Sequence, residues 1–136
     1  MAEANAQIPA DESSIPYAWF LYVVECSDGS LYTGISTDVA RRIGEHLGLF
    51  GRSRGAKYFS GRSPTKLHYV EGSISRSEAS KREAWVKSLT RSKKWLLCRE
   101  GEQNLLKNSI NIAAETGADQ RSTLNMVGNI TDKIKN

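Results

Sequence analysis

Cysteine is scarce in this chain. Its 136 residues hold two, Cys26 and Cys98, far apart and outside any metal-ligand spacing. A disulfide-stapled scaffold and a cysteine-built zinc site are both excluded, and a reduced, cytoplasmic protein is the simplest expectation. Long apolar runs are missing as well. None approaches the ~20 residues a membrane helix needs, and no signal-peptide pattern opens the chain. Internal repeats and low-complexity tracts are also absent, which excludes solenoids and fibrous arrays.

What is present fits one domain with tails, large enough to bury a modest core. Hydrophobic residues make up 39% and charged residues 25%, ordinary proportions for a globular chain. The net charge of +4 is unevenly spread. Residues 17–100 carry 15 Lys/Arg against 8 Asp/Glu, whereas residues 1–16 carry only three acids and residues 101–136 carry four charges of each sign. The basic excess gathers in runs such as Arg52 to Lys57 and Arg91 to Lys94. Such a distribution suits a polyanionic partner, and it equally suits a solvated surface.

Taken in order, residues 1–16 are polar and without periodicity, and a disordered lead-in is expected there. Trp19 to Glu25, dense in β-branched and aromatic residues, reads as a strand. Ser27-Asp28-Gly29-Ser30 supplies a hairpin turn through its Asp-Gly pair. A second strand spans Leu31 to Ser36, and Thr37 or Asp38 can cap a helix from Val39 to Leu47. Gly48 is placed to end that helix. The glycine-rich stretch Leu49 to Thr65 reads as a functional loop, and Lys66 to Glu71 as a third strand.

Ser75 and Glu78 fit a capping box that opens a helix to about Leu89, followed by a short helix from Arg91 to Leu97. The segment 99–136 reads as a tail. Within it, Asn104 to Glu115 carries an apolar stripe of Leu105, Leu106, Ile110 and Ala113 that predicts an amphipathic helix.

Polar residues sit where a core is expected. At 100° per residue, Ala79, Glu83 and Val86 fall within roughly 60° of one another, so Glu83 interrupts a buried stripe. A buried carboxylate needs a cation or a metal, and pairing with Arg42 would serve too. Arg42 and His46 stack on one side of the first helix, bordering Val39, Ile43 and Leu47. A hydrogen-bonded, half-buried histidine is the plain alternative for His46. Tyr22 and Tyr32 can meet across the hairpin, and Gly34 inside a strand marks close approach of a backbone or ligand. Two phenols, a guanidinium, an imidazole and a carboxylate make a plausible phosphodiester-cleaving set. His68, with no carboxylate or cysteine at ligand spacing, reads as structural. Trp19, Trp85 and Trp95 read as core or brace residues, and both cysteines as buried thiols.

Tyr22, then Tyr32-Thr33-Gly34, Arg42 eight residues on, His46 four beyond that and a later helical Glu83 resemble the GIY-YIG nuclease domain. CSDGSLYTGIS, GAKYFSGRSPTKLHYVE and SEASKREAWVKSL are similar to the small single-domain bacterial branch of that superfamily. The resemblance covers residues 17–98. Two departures stand out: the first triplet is Phe20-Leu21-Tyr22, keeping only the tyrosine, and the late Asn of many members has no counterpart before Cys98.

The resemblance implies an α/β fold with a three-stranded antiparallel sheet flanked by helices, and metal-assisted hydrolysis of DNA. Glu83 would hold Mg²⁺ or Mn²⁺, Arg42 would grip the phosphate, and Tyr22 would activate water beside an orienting Tyr32. His46 is the competing base. Arg52, Arg54, Lys57, Tyr58 and Arg62 would track the nucleic acid. Selectivity for DNA structure or single strands stays open, as does the pathway served, DNA repair among others. A catalytically idle nucleic-acid-binding module on the same fold is the alternative, and the tail could mediate protein contacts.

Overall fold

The computed structural model describes residues 17–49, 59, 61–101, 104, 106, 109–112 and 127–128. The described elements are β1 (Trp19–Cys26), β2 (Leu31–Ser36), α1 (Val39–His46), β3 (Pro64–Ser73), α2 (Arg76–Lys87), α3 (Arg91–Glu100) and β4 (Ile110–Asn111). They form an α/β structure around an antiparallel sheet of order β2-β1-β3-β4. The three expected strands are there, and a fourth joins them.

β1 is central, and its sequence shows why. Phe20, Tyr22, Val24 and Cys26 point to one face with Val39 and Ile43 of α1. Leu21 and Val23 point to the other with Tyr69, Val86 and Cys98. A strand covered on both faces needs apolar residues at every position, not alternation. The hairpin turn closes through Gly29, whose φ of +83° suits a residue without Cβ. Asp28 braces it by accepting from the backbone N–H and the hydroxyl of Ser30.

The helix ends follow local chemistry. Asp38, of the two candidates, caps α1 by accepting from the Arg41 N–H at 3.0 Å. At the other end, Gly48 donates to the Glu45 carbonyl and Leu49 to that of Gly44. With Gly48 at φ +81°, this is a Schellman closure that uses up orphan carbonyls. Ser75 caps α2 through the Glu78 N–H, and Thr90 caps α3 through that of Lys93. The second of these helices runs to Glu100, three residues past the expected end.

The helix expected over Asn104 to Glu115 is corrected. Ile110 and Asn111 form β4, paired with Leu67 and Lys66, and the Ile112 N–H donates to the Thr65 carbonyl at 2.7 Å. Propensity yields there to an open edge of β3, whose backbone groups need partners. Asn104 also stops helical continuation, because its side chain bonds the Cys98 carbonyl and the Leu106 N–H. Leu106, Ile112 and Val127 are buried in the α1-side core. The expected lead-in over residues 1–16 lies outside the described residues.

His68 sits at a β-bulge: Val23 pairs with Tyr69 and Val24 with Leu67, which leaves His68 unpaired. Its Nε2 lies 2.9 Å from a Glu25 carboxylate oxygen and its Nδ1 meets the Ser109 hydroxyl, while Trp95 packs edge-on against the ring. A carboxylate does reach His68, though from β1, and the contact clasps the segment leading to β4 onto the sheet. Among the described residues no helix is long and apolar enough to cross a membrane.

Candidate active site at the sheet edge

The site grows from one register. Tyr22 pairs with Gly34 and Val24 with Tyr32, so both tyrosines project from the α1 side as diagonal neighbours, their ring centroids 6.3 Å apart. Gly34 is there because nothing larger fits. A Cβ at that position would lie 2.6 Å from the Tyr22 hydroxyl and 3.0 Å from the Tyr32 ring. The close approach expected at Gly34 comes from the site's own aromatic side chain.

α1 contributes the next two groups. His46 is buried, and its Nε2 lies 2.9 Å from the Tyr22 hydroxyl. Phe59 stacks on the imidazole at 4.0 Å and meets the Tyr32 ring edge at 4.8 Å. Arg42, one turn earlier, is partly exposed and donates to Glu45 at 2.6 Å. Burial works against its charge, yet the Glu45 bond and the two phenols hold its pKa above the ordinary value.

α2 supplies Glu83 from the far side of the hairpin. Its side chain is 24% exposed, and its carboxylate pairs with Lys87, one turn on, at 3.2 Å. The alternative pairing with Arg42 is replaced by two local pairs, Arg42 with Glu45 and Glu83 with Lys87. Both pairs follow helical spacing. Glu83 and Arg42 nevertheless both lie within electrostatic reach of Tyr22 and Tyr32.

The protonation states follow from this enclosure. Burial first, and then Tyr32, push the Tyr22 phenol well above its usual range, against the pull of Arg42 and its hydrogen bond. Burial also raises Tyr32, opposed by Lys87 and Arg42. Burial and then the Arg42 charge press His46 down to about 3. The resting pair is thus a neutral phenol bonded to a neutral imidazole. Tyr32, half-buried, and the charged groups of Arg42, Glu83 and Lys87 form the water-facing side.

Of the residues expected from sequence, Tyr22, Tyr32, Arg42 and His46 stand together here with Gly34, and Glu83 lies within electrostatic reach of both tyrosines. Arg62 stands apart at the hairpin turn, its Nε 3.3 Å from Asp28. Arg52, Arg54, Lys57 and Tyr58 lie outside the described residues. Sequence reasoning missed Phe59, Glu45 and Lys87. The last two were signalled by charge pairing at i+3 of Arg42 and i+4 of Glu83, whereas Phe59 had only its place beside other aromatics in the loop.

A metal was implied at Glu83. Among the described residues no group of three or more His, Cys, Asp or Glu could cage an ion. One partly exposed carboxylate suits a hard ion that keeps its waters and shares substrate oxygens. Glu83 offers an oxygen donor of the kind Mg²⁺ or Mn²⁺ takes, and an ion there would displace its pairing with Lys87.

An antiparallel sheet that pools tyrosine, arginine and histidine from an edge hairpin and its following helix, completed by a helical glutamate, is the arrangement of the GIY-YIG nuclease superfamily. The GIY-YIG catalytic domain model matches residues 18–95, and the chain belongs to that family. It is 48% identical over 86 residues to UPF0213 protein DP2720 of Desulfotalea psychrophila, covering 63% of this chain and 76% of that one. It is 50% identical over 82 residues to UPF0213 protein HQ_3675A of Haloquadratum walsbyi, covering 60% and 88%. Among solved structures, the solution NMR structure of UPF0213 protein BH0048 from Bacillus halodurans is 42% identical, covering 62% of this chain and 86% of that one, with a TM-score of 0.38.

Proposed function

We propose that the protein is a divalent-metal-dependent endonuclease that hydrolyses DNA phosphodiester bonds. The observation that carries this reading is convergence. Arg42 and Glu83, from different helices, both lie within electrostatic reach of the Tyr22–Tyr32 pair, and Tyr22 is hydrogen-bonded to His46. Positive charge for a phosphate, a carboxylate for an ion and a hydrogen-bonded acid–base pair are the parts such a hydrolysis needs.

Arg42 meets the non-bridging oxygens with its fork of donors, exchanging its bond to Glu45 for the phosphate. Tyr32, the more accessible phenol, orients the attacking water. Tyr22 accepts a proton from that water as its own passes to His46 Nε2, so the buried imidazole acts through the phenol. The incoming phosphate's negative charge favours an imidazolium that the empty site disfavours. Glu83 would hold the Mg²⁺ or Mn²⁺, whose charge would offset that of the phosphate and of the departing 3′ oxygen.

The test is cleavage of single-stranded, nicked, flapped and duplex DNA with and without Mg²⁺ or Mn²⁺. Glu83→Ala and Arg42→Ala should each lower cleavage by at least 10²-fold, roughly the scale of losing one electrostatic group, while remaining folded and able to bind DNA. Undiminished cleavage by Glu83→Ala removes the metal assignment. Binding without cleavage by the unaltered protein on every substrate favours the idle module.

A further inference from the structure

Glu83 can serve an ion or a phosphate only if α2 presents it at a fixed angle, and the apolar packing of α2 is too thin to fix that angle. Of its twelve residues only Ala79 and Val86 are buried. Two small side chains make a shallow ridge, about which a helix can roll. For a side-chain tip about 6 Å from the axis, a 10° roll moves it by about 1 Å. Misplacement on that scale can lower a rate by about 10².

A polar lock occupies the position next to Glu83. Arg82 donates through Nε to one oxygen of Glu71 and through a terminal nitrogen to the other, both at 2.7 Å. Glu71 is 1% exposed, and the Tyr69 hydroxyl donates to it as well, at 2.7 Å. The guanidinium lies 4.6 Å from the centre of the Trp85 ring. Glu71 stands on β3 opposite Leu21, next to the Val70–Tyr22 pair. One fork thus joins the strand behind Tyr22 to the helix residue that precedes Glu83.

We propose that Glu71 and Arg82 are positioning residues for the site: their two-pronged bridge fixes the roll of α2 and so the placement of the Glu83 carboxylate relative to Tyr22 and Tyr32. A buried ion pair is weak evidence for stability, because desolvation offsets most of its attraction. Its directionality is what a hydrophobic pair of equal volume lacks. Trp85 belongs to the lock, holding the guanidinium plane from the outer side. This assignment rests on the nuclease reading for its effect on rate, but not for its effect on the carboxylate.

Three variants test it alongside Glu83→Ala. Arg82→Lys keeps the charge and loses the fork, Glu71→Gln keeps the shape and loses the charge, and Trp85→Ala removes an exposed ring. Each is measured for melting temperature, kcat and KM on DNA, and Mn²⁺ binding by direct titration. Arg82→Lys and Glu71→Gln should lower kcat by 10- to 100-fold with KM for DNA within twofold, and should weaken Mn²⁺ binding at least fivefold at temperatures where they are fully folded. Trp85→Ala should move the same quantities in the same direction by two- to fivefold, and with Arg82→Lys it decides the matter if Glu71→Gln does not fold. Unchanged kcat and unchanged Mn²⁺ affinity per folded molecule, with only the melting temperature lowered, would reduce the bridge to a structural contact and overturn the proposal. If Glu83→Ala cleaves normally, the nuclease reading of Glu83 fails by itself. Mn²⁺ titration of the Glu83→Ala protein then decides: lost binding leaves the Arg82→Lys titration as the report on carboxylate placement, whereas binding equal to the parent's shows that Glu83 holds no ion and overturns the proposal.

Discussion

Among the described residues, His46 carries a marked dependence on acidity. Its folded pKa, about 3, lies below the ordinary value of about 6.5. A depressed value means the native state binds this proton less readily than the unfolded chain does. The stabilisation is complete above pH 6.5 and drains away as pH falls toward 3. At about 1.36 kcal/mol per unit, the loss is at most roughly 5 kcal/mol. Urea unfolding of the parent and His46→Gln proteins at pH 7.0, 5.5 and 4.5 should show the parent's advantage shrinking as the medium is acidified. A constant difference across that range would refute the assignment. Gly34 limits the site sterically. Gly34→Ala pushes its methyl into the Tyr22 phenol and should destabilise by about 1–3 kcal/mol, with cleavage falling further than stability because Tyr22 and His46 separate. The tyrosines, Gly34, Arg42 and His46 were legible as residues because strand alternation and helical spacing fix which side chains share a face. Phe59 was not, since its stacking on His46 is a contact between residues 13 positions apart that no local period encodes.

At the scale of elements, caps and turns were the most legible features. Ser75, Gly48 and the Asp28-Gly29 turn do what their local chemistry requires, irrespective of the rest of the fold. Ser75→Ala removes the acceptor for the Glu78 N–H and should lower stability by about 1 kcal/mol, readable as a shift in the urea midpoint at unchanged slope. Long-range pairing was less legible. The stripe Leu106, Ile110, Ala113 satisfies a helical period, yet the chain at Ile110 and Asn111 completes the edge of β3 instead, an outcome decided by a strand some 44 positions earlier. Trp85 is another instance. Read as core or brace, it is 48% exposed and so not core, because Ala79 and Val86 set the buried face of α2 and Trp85 falls outside it, against Arg82.

For the whole molecule, the segment beyond α3 matters to the core. Leu106, Ile112 and Val127 lie in the same cluster as Tyr22, Val39 and Ile43, and Gly128 comes up against Ala40 of α1. Burying a side chain of this size contributes about 1.5–3 kcal/mol. A chain ended at Cys98 should therefore lose at least about 4 kcal/mol and melt at distinctly lower temperature. Calorimetry of the two proteins checks this, and equal melting temperatures would show that the segment is dispensable. The charge reading concerns a different property: a middle segment rich in Lys and Arg bears on association with polyanions and its salt dependence, not on fold.

The two buried thiols sit in separate layers. Cys26 belongs to the cluster under α1 and Cys98 to the cluster under α2 and α3. Both are free, and burial raises both above the ordinary thiol range, Cys98 to about 11. Neither reacts readily with an alkylating reagent until its own layer opens, because the thiolate is the reactive form. The protein therefore carries a native clock on each face of its sheet. Mass-resolved labelling of Cys26 and Cys98 times the breathing of the layer under α1 and of the layer under α2 and α3 separately, without any introduced probe.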